Sequence, residues 1–136
     1  KGRRSIYVLV RRTQPVHLLD AFDAPVMETN CTRRTQSTTA TQALALMNST
    51  FISAQARHFA ARVLASPDRG DGARIDLAYR LALSREPSPT ERARMLDFLR
   101  SQRLLYLQSG GAEAEQRAWS DLCHTLLGLN EFVYVD

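Results

Sequence analysis

Apolar side chains recur at helical spacing through most of this 136-residue chain, and short polar clusters interrupt them. Ile52, Ala56, Phe59 and Val63 stand at i, i+4, i+7 and i+11, the stripe of a helix with one face to a core. Asn48, Ser49 and Thr50 break the preceding run and offer caps, because their side-chain oxygens accept from unpaired first-turn amides. SPDRGDG at 66–72 is a polar turn. Over about 73–84, Ile75, Leu77, Ala78, Tyr79, Leu81, Ala82 and Leu83 cover nearly the whole circumference, which predicts a central helix. Asp76 and Arg80 form an i, i+4 pair on its remaining polar strip. SPTE at 88–91 is a capping box: Ser88 caps, Pro89 takes the first helical position and Glu91 the third. It opens a long helix through about Leu107, with Met95, Leu96, Leu99 and Tyr106 inward, and SGGAE at 109–113 ends it. A last helix over about 114–127 gathers Ala118, Trp119, Leu122, Cys123 and Leu126 on one face, with Gly128 and Asn130 as stop signals.

The first forty residues follow another pattern. RSIYVLVRR at 4–12 is rich in β-branched and aromatic residues and reads as a short strand. Its mate would lie upstream of Lys1 or in FVYV at 132–135. Pro15 can open a helix of one or two turns over 15–23, and Pro25 stops it. Residues 25–39 read as an irregular loop, after which Ser37, Thr38 or Thr39 caps a short helix over 40–48. The expected fold is mainly α: an antiparallel helical bundle of about five helices with a short N-terminal β-strand element. It is expected to form a single helical domain over 1–136, with 1–39 as strand and irregular basic segment and 40–136 as the bundle.

Composition fits this picture. Apolar residues make up 44% of the chain, enough for a packed core. No stretch approaches the roughly 20 apolar residues of a membrane-spanning helix. The chain starts at Lys1 without an apolar leader, so it is expected to be a processed product or a cut from something longer. The net charge of +4 is unevenly placed. Residues 1–36 hold seven bases against three acids and carry all of it, while the remainder balances. Any field that attracts anions comes from that segment.

TRRTQSTTA at 32–40 leads into the helix at 40. Helix amino ends expose unpaired amides and a partial positive charge, so Arg33 and Arg34 with Thr38 and Thr39 could hold a sulfate, phosphate or carboxylate. The segment lacks the spaced glycines of a phosphate-cradling loop. Ordinary capping explains the same residues, with Arg33 paired to Asp20 or Asp23, and this structural reading ranks first. On a helix His17 and Asp20 share a face, and so do Asp20 and Asp23, but three such residues make too few ligands for a metal site. Cys31 has no base tied to it by a local pattern, so a nucleophilic role is not assigned. Cys31 and Cys123 form no C-x-x-C pair, hence no zinc or covalent haem site is read. They are either free buried thiols or one long bridge, and the compartment decides which. The basic segment has no helix-turn-helix or aromatic stacking sheet, so nucleic-acid binding ranks last.

RRSIYVLVRR, LLDAFDAP, the C-T-R-R run followed by QALALMN, AYRLALSREPSPTE and LCHTLLGLNEFVYVD occur in this order. Together they resemble the planctomycete-specific PSD domain, a domain of unknown function, from about Arg3 to Asp136. The resemblance implies the C-terminal portion of a large exported protein, with a cytochrome-c-like domain elsewhere in many members. Any haem would then belong to that upstream region, and this chain would hold no cofactor. An extracytoplasmic, oxidising location would favour a Cys31–Cys123 bridge. The family offers no catalytic residues to carry over, so Asp23, Cys31, Arg33, Arg34, Gln42 and Asn48 stand as candidates from its recurring pieces alone. The leading expectation is a non-catalytic scaffolding or partner-binding module, whose partners are upstream domains of the same protein. The alternative is part of an enzyme acting on polysaccharide or another anionic, sulfated substrate, with Arg33 and Arg34 as anion ligands.

Overall fold

The computed structural model describes residues 7, 40–67, 70–111 and 113–133, with backbone alone for 40, 41 and 43. Six helices occur among the described residues, in chain order: α1 Ala40–Asn48, α2 Thr50–Leu64, α3 Asp71–Leu83, α4 Pro89–Gln108, α5 Ala114–Leu127 and α6 Asn130–Val133. The protein is mainly helical. The chain divides into two compact units, Lys1–Ala45 and Leu46–Asp136. Of the first unit, Tyr7 and the opening turns of α1 are described.

Two helix starts in the second unit, those of α2 and α4, are written locally. Ser49 Oγ accepts from the Ile52 amide at 3.4 Å and caps α2. At α4 both halves of the capping box form: the Glu91 amide donates to Ser88 Oγ at 3.3 Å, and the Ser88 amide donates to Glu91 Oε2 at 2.7 Å. Pro89 occupies the first turn, where its missing donor costs nothing. The other end of α4 closes in a Schellman pair. There the Gly111 amide donates to the Tyr106 carbonyl at 3.1 Å and the Gly110 amide to Leu107 at 3.2 Å. Gly110 supplies the left-handed residue, at φ 74°. α3 ends on Ser84, also left-handed at φ 58°, a conformation that strains a residue with a Cβ.

The core of the second unit lies where α2 and α4 pack on α5. Ala56, Ala60 and Val63 come from α2, Ile75, Ala78 and Tyr79 from α3, and Leu99 from α4. α5 contributes Ala118, Trp119, Leu122, Cys123 and Leu126, all fully buried. Small residues on α2 face the bulk of Trp119 and its neighbours, so large meets small across the contact. The predicted inward residues of α2, α4 and α5 all lie in this cluster or against it, apart from Ile52, which is half-buried.

Three expectations are corrected. The helix at 71–83 is not central: α5 makes the most extensive packing, and Leu81 of α3 stays 38% exposed. An apolar circumference shows what could be covered, not what covers it. Asp76 pairs with Arg92 of α4 rather than with Arg80. Asp76 is largely buried at the α3–α4 contact, where a charged partner across the gap outweighs one on its own solvated surface. The N-terminal strand element is not supported. Tyr7, the one described residue of 4–12, lies in a 3-10 turn and is 71% exposed. The proposed mate at 132–135 begins inside α6, where the Phe132 and Val133 amides donate to the Leu129 carbonyl at 3.0 and 3.2 Å. The helix expected at 15–23 lies outside the described residues.

Candidate partner-binding surface

α2 carries two stripes of the same spacing, one residue apart. Ile52, Ala56, Phe59 and Val63 form the inner one, whereas Phe51, Gln55, His58 and Arg62 form the outer one and are all exposed. Arg57 lies beside the outer stripe and is exposed as well. Phe51 is 58% exposed and Met47, in the last turn of α1, 67%. Between Glu28 and Asp68 the sequence contains no acidic residue. α2 therefore offers its two arginines no carboxylate of its own, and α1 adds none. Among the described residues, Arg57 and Arg62 make no ion pair. The result is a surface with large apolar bodies at one end and unneutralised cations toward the other.

Elsewhere in the second unit Arg85, Arg92, Arg100 and Arg103 bind carboxylates of the same unit, whereas Arg80, Arg94 and Arg117 make no ion pair among the described residues. Arg85 holds Glu91 with two bonds, at 2.7 and 2.9 Å, and Glu131 with two more, at 2.7 and 2.8 Å. Its guanidinium also lies over the Tyr79 ring, 5.4 Å from the centroid. Arg103 clamps Asp71 at 2.6 and 2.8 Å and grips Glu115 as well. Glu115 in turn accepts from the Trp119 indole at 2.9 Å. Tyr106 donates to Asp121 at 2.6 Å. These contacts shift the acids as expected for charge-assisted bonds. The Arg85 hydrogen bond, with help from the Ser88 amide, holds the Glu91 carboxyl down at about 2. The same arginine lowers Glu131, and Arg103 lowers Asp71. Such carboxylates are held ionised and occupied, a structural role rather than that of a proton carrier.

Among the described residues no group of three His, Cys, Asp or Glu side chains gathers to hold a metal ion, and no helix is long and apolar enough to cross a membrane. Arg33, Arg34, Thr38, Thr39, Asp23 and Cys31, with His17 and Asp20, lie outside the described residues. Gln42 lies on α1, is 2% exposed and is engaged within the protein. Asn48 is exposed at the end of α1. Cys123 carries a free, fully buried thiol, which burial pushes up to about 12. The structure thus does not gather the sequence candidates into one described site. The outer stripe of α2 went unassigned from sequence, although two signals point to it: the shifted repeat of the inner spacing and the acid-free run.

The sequence matches the family PSD1, described as a protein of unknown function (DUF1553), over residues 1–99. The chain is a PSD1 protein. No curated protein and no solved structure matches it. The PSD1 match takes in α1, α2, α3 and the first half of α4. It therefore includes the whole outer stripe of α2, and it ends before the helix on which α2 packs.

Proposed function

We propose that this PSD1 chain is a non-catalytic helical module of an exported multidomain protein, and that it docks another part of that protein. Met47 and Phe51 carry the reading: two large apolar side chains left in solvent on the helices whose cations, Arg57 and Arg62, make no ion pair among the described residues. Exposed apolar bodies rimmed by polar residues mark interaction surfaces. The resemblance to PSD domains supports the multidomain parent and its export. The packing of α2 and α4 on α5 supports a bundle of antiparallel neighbours as the frame.

Hydroxyl-radical footprinting of the parent protein and of the 136-residue chain tests the reading. Met47 and Phe51 are expected to be labelled in the chain and shielded in the parent, with Leu104 and Leu107 as exposed internal references. Equal labelling of Met47 and Phe51 in both would overturn it.

A further inference from the structure

We infer that the outer face of α2 receives an acidic polypeptide segment carrying an apolar anchor, which rests on the docking role proposed above. The anchor would pack on Phe51 and Met47, and carboxylates would meet Arg57, His58 and Arg62. The face runs over the twelve residues from Phe51 to Arg62, about 16 Å at the rise of an α-helix, the reach of a short helix or extended strand. Charge complementarity selects the sign. The helix contains three basic-type side chains and no acid, so a segment with carboxylates brings the counter-charge that the described residues do not supply. Arg57 and Arg62 suit carboxylates in particular, since a guanidinium offers two parallel donors to two oxygens. One large apolar contact with a few charges around it is the usual make-up of a peptide-docking site.

The same geometry argues against two other anionic partners. A nucleic acid needs a longer row of cations to gain from counterion release, and the face has one aromatic ring for stacking. A lipid surface takes up helices whose apolar stripe is free to insert, and the inner stripe of α2 is committed to the core.

The test uses the full 136-residue chain and a synthetic helical peptide with Glu and Leu at i, i+4 spacing. Its controls are the Gln-for-Glu peptide, phosphatidylglycerol vesicles and a single-stranded oligonucleotide. The Glu peptide is expected to bind, to weaken as salt rises, and to lose about ten-fold or more in affinity with Phe51→Asp or with Arg57→Glu plus Arg62→Glu. Arg94→Glu, which reverses an exposed charge on α4, is expected to leave binding unchanged. Circular dichroism confirms that each variant keeps its helices, and Arg57→Gln plus Arg62→Gln replaces any variant that does not. The inference fails if the Gln peptide binds as well as the Glu peptide, or if neither binds. It also fails if vesicles or the oligonucleotide alone bind with dependence on Arg57 and Arg62. Shielding of Met47 and Phe51 in the parent without peptide binding would retain the docking role and remove its acidic occupant.

Discussion

Arg85 and Glu131 are 46 residues apart and bond through two parallel contacts, Nε to Oε1 at 2.7 Å and Nη2 to Oε2 at 2.8 Å. The contact fastens the four-residue helix α6 to the turn between α3 and α4. A helix that short has little stability of its own, so it depends on what holds it. In Glu131→Gln the charged grip is lost. Amide exchange at Phe132 and Val133 is expected to rise toward the unprotected rate, with little change in melting temperature because the pair is solvent-exposed. Exchange mapped by NMR or mass spectrometry checks this, and unchanged protection would mean that the Leu129 carbonyl suffices.

Acid should loosen the same corner. Glu91 sits at about 2 instead of its ordinary 4.5, so its contribution is present above pH 4.5 and is lost as pH falls toward 2. Glu131 and Asp71 are lowered too and act in the same direction. Urea unfolding across that range is expected to show stability falling with pH. Glu91→Gln should flatten the fall, since its side chain has no proton to take up.

The burial of Cys123 predicts the opposite limb. Its thiol is raised to about 12 from an ordinary 9.0, so the stabilisation is complete below pH 9.0 and drains away as pH rises toward 12. In a Cys31→Ser background, Cys123 is expected to resist a thiol reagent at neutral pH and to react at once in denaturant. Rapid labelling of the native protein would show that the α5 core opens.

Ser84 holds a left-handed conformation at φ 58°, which glycine adopts without the steric cost of a Cβ. Ser84→Gly is expected to gain up to about 1 kcal/mol, the left-handed cost less the added freedom of the unfolded chain. Equilibrium denaturation gives the sign directly.

Trp119 fills the centre of the α2–α4–α5 packing and is fully buried. Trp119→Ala should cost about 3–5 kcal/mol, the range for removing a large aromatic from a core. A chain cut after residue 99, where the PSD1 match stops, lacks α5 altogether. It is expected to show weak, non-cooperative unfolding by circular dichroism.

Local signals in the sequence carried well. The capping box at Ser88 and Glu91, the Ser49 cap and the Gly110 stop each involve residues within a few positions, and each forms where the pattern places it. The stripes of Val63 and Trp119 were equally legible because periodicity reports which face is buried. What periodicity omits is the partner. α3 looked central because its circumference is apolar, yet Leu81 meets solvent, and Trp119 on a narrower stripe marks the true centre. The Arg85–Glu131 and Arg103–Asp71 contacts join residues 46 and 32 positions apart, beyond any local rule. Asp76 had an in-register partner in Arg80, but the fold offered Arg92 at a more buried position. Of the candidate site, the acid-free run was visible in the sequence, while the exposure of Phe51 became clear once the inner stripe had a helix to pack on.

The PSD1 match breaks off at Leu99, halfway along α4, at a side chain with no contact to water. The stretch by which kinship is recognised is thus shorter than the stretch that folds. Val63, Tyr79 and Leu99 lie inside the matched stretch, while Trp119, Leu122 and Leu126, which complete their core, lie outside it.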